Sequence, residues 1–222
     1  PSVRFRMPFF EQLERRRHDC TMLQSIPSRY ESFGWMGWRA SEQLRKFIRR
    51  RHIARVQQEQ FASVVLETGV FHTADYSYEQ RLRSVCGRLV YEIDDAVFLL
   101  FPEKIRAIVE MSDAVIAGNQ KIAEWALQFN RCVSIVPTCV DSNLYTPRTD
   151  DAAGSAAKPV VGWIGSSGNV HKLAVCAKAL QQVASNRDFQ FRGIPSDREA
   201  VAKVGLTGVV VDCVDINRVD TV

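Results

Sequence analysis

The chain has 222 residues, 46% of them hydrophobic and 24% charged, an ordinary globular balance with enough apolar content for one large domain or two smaller ones. That excludes a disordered or fibrous chain, and the longest uninterrupted apolar run, residues 96–101, is far too short to cross a bilayer as a helix. The net charge of +4 is unevenly spread, at +7 over residues 1–60, −5 over 61–157 and +2 over 158–222, so the basic opening is suited to an anionic partner: a phosphate-bearing substrate, a membrane surface or nucleic acid.

Arg4, Arg6 and Glu11 interrupt the opening residues, so no secretory leader is read there. Pro1 stands in place of an initiator Met, and the start is expected to lie upstream. Cys20, Cys86, Cys132, Cys139, Cys176 and Cys213 form no CxxC pair and no zinc-like spacing with His. They read as small buried hydrophobes of a reducing, cytoplasmic compartment.

Taken in chain order, residues 9–18 read as a helix with Phe9, Phe10 and Leu13 on one side and Arg15, Arg16 and Arg17 on the other. Residues 20–24 are a short strand candidate, and 27–37 a loop. A longer helix follows over 38–56. Leu44, Phe47 and Ile48 form its apolar stripe, and Arg45, Lys46, Arg49, Arg50 and Arg55 its other face. From residue 61 the rhythm changes to strands at 62–66, 88–93, 114–117 and 132–136, with helices at 76–84, 103–111 and 120–129 between them. Such alternation predicts βαβ units and a parallel sheet. Residues 148–158 are rich in Asp, Ala, Gly and Ser and read as a linker. The rhythm then restarts: a strand at 160–164, a glycine turn, a helix at 171–186, and strands at 189–192 and 209–211 around a short helix at 197–203. The first element is a helix and the second half has about three strands, so both ends are expected to be cut.

Five segments carry chemistry. Residues 133–141, Val-Ser-Ile-Val-Pro-Thr-Cys-Val-Asp, continue to Leu144, Tyr145, Thr146 and Pro147: a buried strand ended by Pro137, then an exit segment. Residues 89–98 run Leu-Val-Tyr-Glu-Ile into Asp94-Asp95 and Ala-Val-Phe. Two carboxylates at a strand's C-terminal end sit where open α/β sheets place ligands, although either could equally cap the next turn. Asp113 to Gln120 is a strand leading to Asn119, a natural helix N-cap. Residues 160–172, Val-Val-Gly-Trp-Ile-Gly-Ser-Ser-Gly-Asn-Val-His-Lys, form a strand, a glycine turn and a helix start, an arrangement that can cradle phosphate. Arg4 and Arg6 could meet phosphate or simply be solvated.

The segment at 133–147 resembles the interdomain strand and hinge of glycosyltransferase family 4 and its relatives of the two-domain GT-B type, in which the strand ends in Val-Ile-Pro-x-Gly-Val-Asp-x-x-x-Phe-x-Pro. Cys139 stands here for the Gly and Tyr145 for the Phe. Residues 91–98 resemble the family's Tyr-Asp-x-Asp-Asp-Ala-x-Phe run, with Glu92 departing from it. Residues 113–120 resemble its Ala-Asp-x-Val-Ile pattern. The stretch at 160–172 is similar to its donor-domain opening, with Ser166 where an Arg is usual, and the opening residues to its Ser-x-Arg-x-Arg segment. The resemblance covers residues 1 to about 192.

It implies an α/β fold of two Rossmann-like domains of the GT-B type, the second incomplete: an acceptor-side domain over 1–147, a linker over 148–158 and an incomplete nucleotide-sugar domain over 159–222. The implied reaction is transfer of a sugar from a nucleotide-sugar donor to a saccharide or lipid-linked acceptor with retained configuration, without a cofactor or a bound metal. Gly165, Ser166, His171 and Lys172 would meet the donor diphosphate; Arg4, Arg6, Asp94, Asp95 and Asn119 would lie on the acceptor side. Glu59 and Glu67 have the spacing of the family's carboxylate pair but fall in the wrong domain. The true pair would follow residue 222, so these residues alone are not expected to catalyse transfer. Two other classes compete: a non-catalytic nucleotide- or sugar-binding module, and a basic nucleic-acid-binding fragment. The helix at Arg45–Arg55 reads either as a solvated face or as a peripheral contact with the inner membrane face. Trp35 and Trp38 read as core or loop packing rather than a base-stacking platform, which disfavours nucleic acid.

Overall fold

Short β-branched runs separated by amphipathic stretches fit parallel βαβ units, and the computed structural model contains such units over the residues it describes: 13–24, 26, 34–139, 158–165, 167–194, 203–204 and 210–213. The chain divides into two compact units, Pro1–Thr146 and Pro147–Val222. In the first, α1 (Gly37–Glu59) precedes β1 (Val64–Glu67), α2 (Ser77–Val85), β2 (Leu89–Ile93), a 3-10 turn at Val97–Leu99, α3 (Pro102–Met111), β3 (Ala114–Ala117), α4 (Gln120–Ala126) and β4 (Val133–Ile135). The strands form one sheet in the order β1-β2-β3-β4, every pair parallel. This is a mixed α/β architecture consistent with a Rossmann-like arrangement.

Strand order dictates which face is dry. Crossovers between parallel strands are right-handed, so strands laid down steadily in one direction carry all their helices on one face. The burial pattern agrees. Leu89, Tyr91 and Ile93 of β2 alternate with half-buried Val90 and Glu92. In register with them, Leu66, Val115 and Ala117 are buried. These side chains share a core with Leu82 of α2, Ile105, Ile108 and Val109 of α3, and Ile122, Ala123 and Ala126 of α4. On the opposite face Val65 is 51% exposed and Ser134 is exposed. Phe98 stacks on Trp125 at 4.2 Å between ring centroids and closes the core beside α4.

The second unit has β5 (Val160–Ile164), a 3-10 segment at Ser167–Leu173, α5 (Ala174–Ala184), β6 (Gln190–Ile194) and β7 (Val210–Cys213). Its sheet order is β5-β6-β7, again all parallel. Val170, Leu173, Ala177, Phe189 and Phe191 make a small core, with Trp163 and Leu180 packed against it.

Several expectations are corrected. Residues 20–24 form no strand; the carbonyl of Leu23 instead accepts from Arg49 Nη1 at 2.9 Å. Of the helix expected over 9–18, helical backbone is described at 13–15, and the helix expected over 197–203 lies almost wholly outside the described residues. The helix expected from residue 171 begins as a 3-10 segment and becomes α-helical only at Ala174. Among the described cysteines only Cys86 is buried, Cys20 is half-buried, and Cys132, Cys139 and Cys176 are exposed. Trp35 and Trp38 are surface residues, 83% and 57% exposed.

Helix α1 follows its sequence reading only in part: Leu44 and Ile48 are half-buried and Arg50 and Arg55 exposed, as expected. Phe47 is 55% exposed while Arg45 is buried at 6%. One contact lies within the helix and one reaches α2. The Arg45 guanidinium lies 4.8 Å from the centre of the Trp38 ring, and Arg49, four residues on, feels the carboxylate of Glu79 in α2. Arg50 Nε adds a hydrogen bond of 3.2 Å to Tyr78 Oη. The side facing α2 therefore carries Arg49 and Arg50, and the exposed face carries Arg39, Phe47 and Arg51. No helix among the described residues is long and apolar enough to cross a membrane.

His52 sits on the inner side of α1, its Nδ1 3.4 Å from Arg49 Nη1. Burial first, then the charges of Arg49 and Arg55, push its pKa below the usual imidazole value. The folded state thus binds fewer protons than the unfolded one near that range. The stability this contributes is complete above the unfolded value of about 6.5 and is lost as pH falls through it toward the lower folded value. The denaturation midpoint is expected to drop more steeply below about pH 6.5 in the wild type than in His52→Gln. Parallel pH profiles of the two proteins would refute the assignment.

Candidate functional site at the strand C-termini

Open parallel sheets bind ligands beyond the carboxyl ends of their strands. In the first unit that rim is built from three turns. After β1 comes Thr68-Gly69, after β2 Asp94-Asp95, and after β3 Gly118-Asn119. Thr68 continues the ladder, its N–H donating to Glu92 O at 3.0 Å. Its φ of 58° is left-handed, a conformation that costs a β-branched residue roughly 1–3 kcal/mol. Gly69 follows at φ 143°, which only glycine adopts readily.

Asp94 is half-buried and Asp95 exposed. The Asp95 carbonyl accepts from Val97 N at 2.7 Å and starts the 3-10 turn. Gly118 is fixed by close approach: its N–H donates to Ile93 O at 2.8 Å, and a Cβ there would stand 2.9 Å from Asp94 Cα. The second and third turns are therefore in backbone contact. The Asn119 side chain caps α4, its Oδ1 accepting from Ile122 N at 3.0 Å. Asp113 works at the other edge of the sheet, where Oδ2 accepts from Leu89 N at 2.7 Å and Oδ1 lies 3.4 Å from Arg83 Nη2.

Three buried side chains that no sequence motif marked shape the first turn. Tyr91 Oη donates to Thr68 O at 3.0 Å. Burial first, then the charges of Glu79 and Asp94, raise its pKa well above the usual phenol value, so it stays a neutral donor. Glu79 Oε1 accepts from Val70 N at 2.8 Å and from Lys104 Nζ at 2.9 Å, with the two side chains 1% and 2% exposed. Lys104 Nζ also donates to Phe71 O at 2.7 Å and Asp75 O at 3.0 Å, so each ammonium proton has an acceptor. Asp75 in turn accepts from the backbone N–H and the hydroxyl of Ser77. Those bonds, the backbone one first, hold its pKa below the usual carboxylate value. The sequence does hold a signal for Lys104 and Glu79: each is a charge on an apolar stripe, Lys104 four residues before Ile108 and Glu79 three before Leu82.

In the second unit Gly165 follows β5, and a Cβ there would meet the Trp163 indole at 2.6 Å. His171 and Lys172 are exposed in the last turn of the 3-10 segment, directly before α5. The described residues thus bring Asp94, Asp95 and Asn119 to one rim and Gly165, His171 and Lys172 to the start of α5. Arg4, Arg6 and Ser166 lie outside them, as do residues 140–157 with Tyr145 and Pro147. Among the described residues no group of three or more His, Cys, Asp or Glu could hold a metal ion.

Two substitutions separate the roles of the turn residues. Gly118→Ala must push one backbone away from another and is expected to cost about 1–3 kcal/mol. Asn119→Ala removes one cap and should cost about 1 kcal/mol. Urea midpoints of both variants measure this, and a Gly118→Ala protein as stable as wild type would contradict the close approach. No family model and no curated protein matches this chain.

Proposed function

We propose that the chain belongs to a retaining, nucleotide-sugar-dependent glycosyltransferase of the GT-B type, with the first unit on the acceptor side and the second on the donor side. The observation that supports this most directly is the succession of two parallel α/β units, with a carboxylate pair at the ligand-binding edge of the first. At that edge Asp94 and Asp95 would accept hydrogen bonds from acceptor hydroxyls, and Asp94 is the better placed to orient a proton because it is half-buried. In the second unit His171 and Lys172 are exposed in the last turn of the 3-10 segment that leads into α5, where the Lys172 ammonium and the His171 ring would act together on a diphosphate. The outward face of α1, with Arg39 and Arg51 beside exposed Phe47, is the region of the unit suited to an anionic surface such as that beside a lipid-linked acceptor.

The test is binding, since it does not require turnover. Calorimetric titration with uridine-, guanosine- and adenosine-diphosphate sugars should give saturable binding to one of them. The double change His171→Ala/Lys172→Ala should weaken it by about tenfold or more, the loss of one or two charge-assisted contacts. Asp94→Asn/Asp95→Asn should leave that affinity unchanged. Absence of binding to all three sugars, or an affinity indifferent to residues 171 and 172, would overturn the donor-side reading.

A further inference from the structure

Segment 68–75 makes four hydrogen bonds with side chains on three separate elements: Tyr91 of β2, Glu79 of α2 and Lys104 of α3. Two of the three are ions removed from water and paired with each other. Burying such a pair is a poor way to gain stability, because desolvation offsets most of the attraction and apolar side chains of similar volume do as well. Among the described residues Glu79 Oε2 is buried with no hydrogen-bond partner. What the ions do that apolar residues cannot is fix backbone groups at chosen places. Glu79 holds the N–H of Val70, and Lys104 the carbonyls of Phe71 and Asp75. Gly69 leaves the room for this, since a Cβ there would stand 3.2 Å from Glu79 Oε1 and 3.5 Å from Lys104 Cε. The segment so held begins with the strained Thr68, at the edge of the sheet where a ligand would sit.

We infer that Glu79 and Lys104 are positioning residues for this rim: the buried pair holds residues 68–75 in one conformation before any ligand arrives, and it keeps the unfavourable Thr68-Gly69 turn in place beside β2. The inference rests on the acceptor-side reading only for what the rim faces. The ordering of the rim is independent of it.

Amide hydrogen exchange on the whole chain tests this without any sugar or nucleotide. In the wild type, the Val70 amide should be protected like the amides of β2. Lys104→Met and Glu79→Met alone each strand a buried charge and should lower the urea midpoint. Glu79→Met/Lys104→Met removes both charges of the pair and should recover part of that midpoint, Arg49 still losing the attraction of Glu79, yet exchange across 69–76 should stay roughly tenfold or more faster than in the wild type. Stability that returns while loop order does not is the result a purely structural pair would not give. Wild-type protection of Val70 in the double variant, or no protection in the wild type, would overturn the inference. If the double variant does not fold, Tyr91→Phe serves in its place. It deletes one hydroxyl and should speed exchange at 68–70 while leaving β3 unchanged; unchanged exchange at 68–70 there would equally count against the inference.

Discussion

The first unit depends on the fixed hand of its crossovers. Four parallel strands in sequence order, joined by right-handed connections, place α2, α3 and α4 on a single face. Every other observation about the core follows from that. The residues of β2 alternate between dry and half-wet, and strands on either side keep the same alternation because their register pairs Leu66 with Tyr91 and Tyr91 with Val115. Parallel pairing also sends all three C-terminal turns to the same rim. There, side chains are free of the tight alternation that governs the strands, and polar residues such as Asp94, Asp95 and Asn119 can collect.

The two ends of the sheet are finished by different chemistry. At the N-terminal edge, Asp113 ties the start of β2 to Arg83 of α2. At the C-terminal edge the turns are shaped by absence of side chains at Gly69 and Gly118 and by the reach of Tyr91, Glu79 and Lys104. An aspartate that reads as belonging to a motif in sequence is thus a clasp, whereas two ions that no motif marks, Glu79 and Lys104, are the groups that contact the rim segment. A pattern of residue types does not distinguish these roles; the partner of each oxygen does.

Most of the fold was legible because it rests on local periodicity. The four strands of the first unit and the helices between them appear within a few residues of their expected limits, since alternation of period 2 in 89–93 and apolar spacing in 103–111 are strong signals. The misreadings share a cause. The short apolar stripe of α1 competes with tertiary partners, Tyr78 bonded to Arg50 and the charge of Glu79 felt by Arg49, so the stripe alone does not decide its orientation. Residues 20–24 alternate well enough for a strand, yet the Leu23 carbonyl is taken by a guanidinium rather than a neighbouring strand. Cysteine exposure likewise depends on which elements pack nearby. The turn at Asp94-Asp95 and the cap at Asn119 were legible, because a strand end and a helix start leave a mark in residue type. At Lys104 and Glu79 the sequence shows only that each charge falls on an apolar stripe, not that the two pair across 25 residues of chain.

The strand order of the first unit also bears on how the protein is made. Each strand pairs with the one synthesised just before it, so the order of assembly can be the order of translation. No strand has to wait for a partner from the far end of the chain, and loop-closure entropy is met in small instalments. A growing chain can thus add one strand and one helix at a time to an edge that already exists, as a repeat protein does, and the unit is suited to folding from its N-terminal side as the chain is extended.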